Sequence, residues 1–557
     1  MRRVDELCLF LFLLVRIKCK HYRMKLKIIT FIPVISFMFF FTACNSGYEK
    51  TGSNSDSNTI TVNIKEMKQI GTVSDRFQSY NVEMVEVVGG KFWKPYKLMD
   101  SLPSAEAASG YDISQNNDQM YRKVPEINLT DKRLLNLAKG LAPAYVRVSG
   151  TWANATYFQD DDKPAAKVPT GYVNVLTRKQ WKGVIDFIKA TNSQLVTSFA
   201  VSNGVRDKNG IWTPVNAQKL VNYTKTLGGS VAAAELFNEP NIPTAGGEMN
   251  KDYNLNTFAK DLQVFTIWAK KEVPGMLRLG PGAIGDGLPG ISLDEIGSGA
   301  TIFSTEGMLT TEPKPVFDGF SYHYYGAASM RMMKSGPFSI QAENALDSVW
   351  LTKTDAVADF YKTMRDKYQP GKPLWLTETA EAAAGGDPFA ATYLDCFRYL
   401  YQLGSLAKKG VQVVMHNTLA ASEYSLIDQD THLPKPNYWA ALLWAKLMGT
   451  EVYEAGENKP GVYLFAHNTK GKEGSITLLV INTNKGETDM HIPANAQHYT
   501  LTSTELQGTA VQLNGKELKL TDSDELPAIN GQAVKAGDIK LPALSISFIS
   551  FDDAEKK

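Results

Sequence analysis

The chain has 557 residues, 43% of them hydrophobic and 21% charged, which excludes global disorder, and it is longer than the roughly 250–300 residues that one core usually fills. Its formal charge of +1 is uneven: residues 1–43 hold eight Lys/Arg against Asp5 and Glu6, leaving 51 basic and 56 acidic side chains in the rest. A net acidic body argues against wholesale electrostatic capture of nucleic acid.

Residues 28–43 (IITFIPVISFMFFFTA) carry no charge, follow Lys25 and Lys27, and end in Thr-Ala before Cys44. This is the layout of an export signal, and its helical length of about 24 Å falls short of a bilayer core of roughly 30 Å. Residues 1–43 are therefore expected to be a signal segment, with Met24 an alternative start. Thr42-Ala43-Cys44 resembles a bacterial lipobox, so Cys44 is expected to carry an acyl anchor, with an ordinary signal or uncleaved anchor as the alternative. Residues 44–58 would then tether an exported lipoprotein to a membrane. In such a chain Cys396 is the remaining ordinary thiol. Its helical register with Tyr393, Phe397 and Leu400 predicts burial.

Structure is expected from Thr59. Residues 59–77 include the β-rich run TITVNI, which is expected to join strands at the other end of the chain. Eight β-rich runs follow, at Ser79–Met84, Tyr145–Ser149, Gln194–Ala200, Ala233–Phe237, Leu277–Gly280, Gly319–Tyr325, Leu374–Thr377 and Gln412–Met415. Amphipathic helices lie between them: Leu134, Leu135, Ala138 and Leu141 share one face, and Trp181, Val184, Ile185 and Ile188 another. The pattern predicts an α/β fold, a (β/α)8 barrel over residues 78–449. After residue 450 the helical period disappears. Val462–Ala466, Ser475–Ile481, Tyr499–Thr502, Glu517–Leu520 and Leu544–Phe551 read as strands of a smaller, discontinuous β-sandwich over 450–557.

Two segments carry chemistry. AELFNEPN places Glu239 after the fourth strand and PLWLTETAE places Glu378 at the seventh, where the C-terminal strand ends of such a barrel form its active face. Two carboxyls brought to one mouth suit glycoside hydrolysis, in which one protonates the leaving oxygen and the other attacks the sugar or activates water. Glu239 is expected to be the protonated acid/base and Glu378 the ionised nucleophile. The seven His lack metal-ligand spacing, and no phosphate-binding loop is present.

These pieces resemble the heparanase and β-glucuronidase group of glycoside hydrolases, a family 79-like member of clan A. The resemblance rests on LAKGLAPAYVRVSGT (137–151), ELFNEPN (235–241), YHYYG (322–326), PLWLTETAE (373–381), VVMHN (413–417) and EYSLIDQDTHLPKPNYWAALLWAKLMGT (423–450). It implies a retaining reaction through a covalent glycosyl-enzyme, without a cofactor. Residue by residue, it implies that Asn238 bonds the sugar 2-hydroxyl and that the Tyr325 phenol donates to the nucleophile. It also implies that a Gly-rich turn at Gly385 and Gly386, together with Tyr424, binds the carboxylate of a uronic acid. In this turn Ala384 stands where the family has Gly, and Asp387 adds a negative charge. Glu83, Thr151 and Asn417 are expected to bind the remaining hydroxyls. Arg147 reads as a support for a carboxylate or as a barrel-interior ion pair, and His323 as site wall or structural hydrogen bond.

The acidic body favours an exo-acting β-glucuronidase, releasing glucuronic acid or its 4-O-methyl form, over an endo-acting enzyme of heparanase type. The loop at 85–127 nevertheless holds Lys91, Lys94, Lys97, Arg122 and Lys123 among Trp93, Tyr96, Tyr111 and Tyr121, aromatics suited to stack on sugar or to close the cleft. A clan relative acting on a neutral sugar and a non-catalytic surface glycan-binding lipoprotein are the other readings. The expected partners are a uronic acid-containing glycan and, through Cys44, a membrane.

Overall fold

The computed structural model describes residues 59–99, 119–245, 248–291, 301–333 and 335–551. The signal segment, Cys44, the tether and Tyr111 lie outside the described residues. Among the described residues no helix is long and apolar enough to cross a membrane.

Eight parallel strands close into a barrel in chain order: β1 (Gln78–Glu83), β2 (Ala144–Ser149), β3 (Ser193–Thr197), β4 (Val231–Glu235), β5 (Leu277–Ala283), β6 (Gly319–Tyr325), β7 (Leu374–Ala380) and β8 (Val411–His416). The closing register pairs Val414 with Gln78. Helices cover the outside, which explains why these strands are apolar on both faces and easy to find in the sequence. The helix Arg178–Ala190 buries Trp181, Val184, Ile185 and Ile188 and is started by a Thr177/Gln180 capping box. The helix Tyr393–Lys408 buries Cys396 completely, as its register predicts.

Side chains two apart on a strand share a face, and this period stacks two layers inside the barrel. Val196, Ala233, Leu279, Trp375, Val413 and Met415 form an apolar plug with Tyr145 against it. Two residues further on, Tyr145 is followed by Arg147, Ala233 by Glu235 and Trp375 by Thr377, and these three are joined by hydrogen bonds. The upper barrel is therefore polar and lies at the C-terminal strand ends.

The second layer system is discontinuous, as expected. Ile60–Thr61 pairs with Met490–His491 in a three-stranded sheet that also contains Gly537–Leu541. Gln69–Thr72 joins Met448–Tyr453 at the edge of a nine-stranded sheet. The strand Val462–Thr469 is buried on both faces. Val462, Leu464 and Ala466 pack into the core between the sheets, whereas Tyr463 and Phe465 belong to the barrel core. Phe465 lies so close to the helix Tyr393–Lys408 that a Cβ on Gly404 would stand 2.3 Å from its ring. The strand expected at Glu517–Leu520 is not formed; only Lys516–Glu517 pairs, with Gln512–Leu513.

Candidate active site

The β4 strand ends at Glu235, two residues earlier than expected, and Glu239 sits four residues beyond it. The Glu239 backbone is left-handed, with φ +50°, a conformation that costs a non-glycine residue about 1–2 kcal/mol and is held only by its surroundings. Part of that support is Asn154, whose side chain donates to Asn238 O and accepts from Asn238 N, both at 2.9 Å. This two-point grip fixes the backbone immediately before Glu239. Glu378 lies within β7, between register irregularities on both sides of the strand.

Arg147 is buried to 1% exposure and bonds two of the acids in the mouth. Its Nη1 donates to Glu378 Oε2 at 2.8 Å, its Nη2 to Asn238 Oδ1 at 2.7 Å and to Glu235 Oε2 at 3.0 Å, and its Nε again to Glu235 at 3.2 Å. Both readings of Arg147 thus hold at once. The Tyr325 hydroxyl donates to the other oxygen of Glu378 at 2.9 Å. Two donors aimed at two oxygens orient that carboxylate and stabilise negative charge on it.

Glu239 receives neither donor. Its Oε1 faces His323 Nδ1 at 3.1 Å. Burial raises its carboxyl above the ordinary range, against the His323 bond and with help from the charge of Glu378. His323 is fully buried, so it lies within the site rather than on a wall. Burial alone would lower its imidazole, but Glu378, Glu235 and Glu239 outweigh that and hold it up at about 9. Facing atoms of Glu239, His323 and Glu378 all lie within 4.8 Å of one another. Among the described residues this trio is the one grouping of His and carboxylates compact enough to take a cation, but Arg147 already supplies positive charge there.

The outer shell comes from β1 and β8. Asn417 Nδ2 contacts Glu83 Oε1 at 3.1 Å, the Tyr325 hydroxyl at 3.0 Å and the Tyr424 hydroxyl at 3.1 Å. Burial and the charge of Glu378 push Glu83 well above the usual carboxylate range. Gly150 makes room for it: a Cβ there would stand 1.6 Å from Glu83 Oε2, on a backbone with φ +94°. Gly150→Ala is accordingly expected to lose about 2–4 kcal/mol, combining overpacking with left-handed strain, and an unchanged denaturation midpoint would contradict this packing. Thr151 opens the neighbouring turn half-buried and makes no hydrogen bond to these carboxylates.

Gly385 and Gly386 form the expected turn, with φ +90° and +76°. The Gly386 N–H is committed to Ala382 O at 3.2 Å, so it is not available in the way the resemblance implies. Gly386 packs on Tyr424, and Gly385 on Trp93. The fully buried guanidinium of Arg331 lies behind the turn. It donates to Ala384 O at 3.2 Å, Gly386 O at 2.7 Å and Lys94 O at 3.0 Å, pairs with Glu423, and lies 4.0 Å over the Tyr96 ring. One side chain thereby ties the loops after β1, β6, β7 and β8 together. Asp387 is turned into the Met330 N–H and the Tyr96 hydroxyl, and burial raises it to about 6. Trp93, Tyr121 and Trp152 pack on one another and are buried, so these aromatics do not offer stacking faces. Arg122 is spent on Gln429 and Asp430.

Sequence reading missed Glu235, Asn154 and Arg331. A charged residue in the apolar run AAAE was a usable signal for Glu235, because a carboxylate is rarely fully buried without a partner. Nothing local marked Asn154, whose partner lies 84 residues away.

No family model matches the chain. It is 26% identical to mouse heparanase over 498 residues, covering 77% of this chain and 87% of that protein. It is also 26% identical to the baicalin-β-D-glucuronidase of Scutellaria baicalensis over 458 residues, covering 72% and 79%. Among solved structures, a 4-O-α-L-rhamnosyl-β-D-glucuronidase from Fusarium oxysporum 12S superposes with TM-score 0.58 at 14% identity, covering 88% of this chain and all of that one. That likeness extends to the fold.

Proposed function

We propose a reaction on the premise that the chain belongs to the heparanase and β-glucuronidase-like glycoside hydrolases: it cleaves β-glucuronides by double displacement, with Glu378 as nucleophile and Glu239 as acid/base. One observation carries this most directly. Oxygens of the two carboxyls approach within 4.8 Å, which supports the roughly 5–5.5 Å spacing of retaining enzymes over the about 6.5–9.5 Å of inverting pairs. The environments support the division of roles, since Glu239 is pushed toward the protonated form and Glu378 faces two donors.

In the first step Glu378 attacks the anomeric carbon while Glu239 gives its proton to the leaving oxygen. In the second, Glu239 takes a proton from water, which displaces Glu378 from the sugar. Asn238, held by Arg147 and by the Asn154 grip, is placed for the 2-hydroxyl, where a hydrogen bond strengthens as positive charge develops on the ring.

The turn at Gly385 with the Tyr424 hydroxyl supports recognition of a sugar carboxylate. The loops that Arg331 ties together, with Trp93 packed on Gly385, support an exo-acting enzyme that removes terminal glucuronic acid, or its 4-O-methyl form, from polysaccharides or glycosaminoglycans. Aryl glycosides and defined oligosaccharides test this. The expected result is hydrolysis of the aryl β-glucuronide over the β-glucoside and β-xyloside, with monosaccharide as the first product; internal fragments first would identify endo action. Membrane attachment through Cys44 belongs to the same proposal, supported by residues 24–44, and an unacylated Cys44 peptide in the mature protein would overturn it.

A further inference from the structure

Arg147, His323 and four carboxyls meet in the barrel mouth, and the two-carboxylate reaction gives no task to one of the carboxyls, Glu235. It is 2% exposed, and its position is tightly specified. Its Oε2 accepts twice from Arg147, and its Oε1 accepts from the Thr377 hydroxyl at 2.8 Å. His323 Nε2 lies 3.8 Å from Oε1. The β5 strand leaves space for it: a Cβ on Gly282, where φ is +68°, would stand 3.1 Å from Oε1. A buried charge held by four elements costs several kcal/mol to desolvate.

We propose that Glu235 is a positioning residue of this glycosidase: its fixed negative charge neutralises the Arg147 guanidinium, so that the acid's proton stays on Glu239 while Arg147 holds Glu378. The inference rests on the double-displacement reading above. The charged and titratable groups facing this cluster are Arg147 from β2, His323 and Tyr325 from β6, Glu378 from β7, and Glu83 from β1 with Glu86 behind it. Burial pushes Glu83 and Glu86 toward the neutral form, Glu86 to about 8. Glu235 and Glu378 share the Arg147 guanidinium between them. Burial would raise Glu235 as well, but Arg147, His323 and Thr377 together hold it well below the usual carboxylate range.

Without the Glu235 charge, the guanidinium is left with Glu378 as its only carboxylate partner. The potential at Glu239 becomes more positive, and a proton leaves the hydrogen-bonded Glu239–His323 pair at lower pH. Once Glu239 has lost its proton, the working acid is gone.

The test uses the full chain as wild type, Glu235→Gln and Glu235→Asp, with aryl β-glucuronides whose leaving groups run from dinitrophenol to phenol. Wild-type turnover with retained configuration is read first, and its absence would sink the double-displacement reading independently of Glu235. In Glu235→Gln the alkaline limb of kcat/KM is expected to move to lower pH by at least about one unit. The loss in rate should be steeper for phenol than for dinitrophenol, because only the poor leaving group needs the acid. Glu235→Asp, which keeps the charge but withdraws it, should shift the limb in the same direction by less. An unmoved limb in either folded variant, with the same loss across all leaving groups, would mark Glu235 as a purely structural ion-pair partner and overturn the proposal. If Glu235→Gln does not fold, the limb of Glu235→Asp decides.

Discussion

Glu378→Gln is expected to lower kcat by at least about 10⁴-fold while leaving sugar binding within a few-fold of wild type. The amide preserves shape and can still accept from the Tyr325 hydroxyl, but it has no negative charge with which to attack the anomeric carbon. Its single oxygen cannot also serve the Arg147 Nη1, which now donates to the other carboxylate oxygen at 2.8 Å and would face the amide nitrogen. Turnover measured beside calorimetric binding of a product sugar separates lost chemistry from lost folding. A 2-fluoro-glucuronide, which slows breakdown of the covalent intermediate, is expected to label Glu378. Label on another residue would remove the nucleophile assignment.

Glu239→Ala is expected to give a different pattern. Loss of the acid should cost about 10²–10⁴-fold for substrates with poor leaving groups, and far less for a dinitrophenyl glycoside, whose leaving group departs unprotonated. Small anions should then restore activity by entering the space the carboxyl vacates, with azide yielding a glucuronosyl azide. The sign with pH follows from the raised carboxyl of Glu239: the protonated form is the working form, so wild-type kcat/KM falls as pH rises through that group. The variant should lose this alkaline limb. A uniform loss across leaving groups without azide rescue would move the acid/base role away from Glu239.

Much of this site was legible in the sequence because barrel strands buried on both faces announce themselves as short apolar runs, and a Glu at the end of such a run stands out. Glu239 and Glu378 were found in this way, Asn238 and Tyr325 through the family resemblance, and the four converge on one mouth. What the local pattern could not show is pairing between strands. Arg147 was seen as an ion-pair former but not as the hub, because its partners lie 88, 91 and 231 residues away. Arg331 sits in a Met-rich loop with no visible period, and its role depends on four loops meeting. In the sandwich, Thr488–Ile492 and Gly537–Leu541 were missed because each is short and alternately exposed, whereas the doubly buried Ile476–Asn482 was found to within a residue.

The central claim is that two carboxyls within 4.8 Å of each other act by two successive displacements at one anomeric carbon. Proton NMR of the first glucuronic acid released from an aryl β-glucuronide, read before mutarotation, tests it directly. The expected first product is the β-anomer. If the α-anomer forms first, water attacks the sugar directly and Glu378 does not act as a nucleophile.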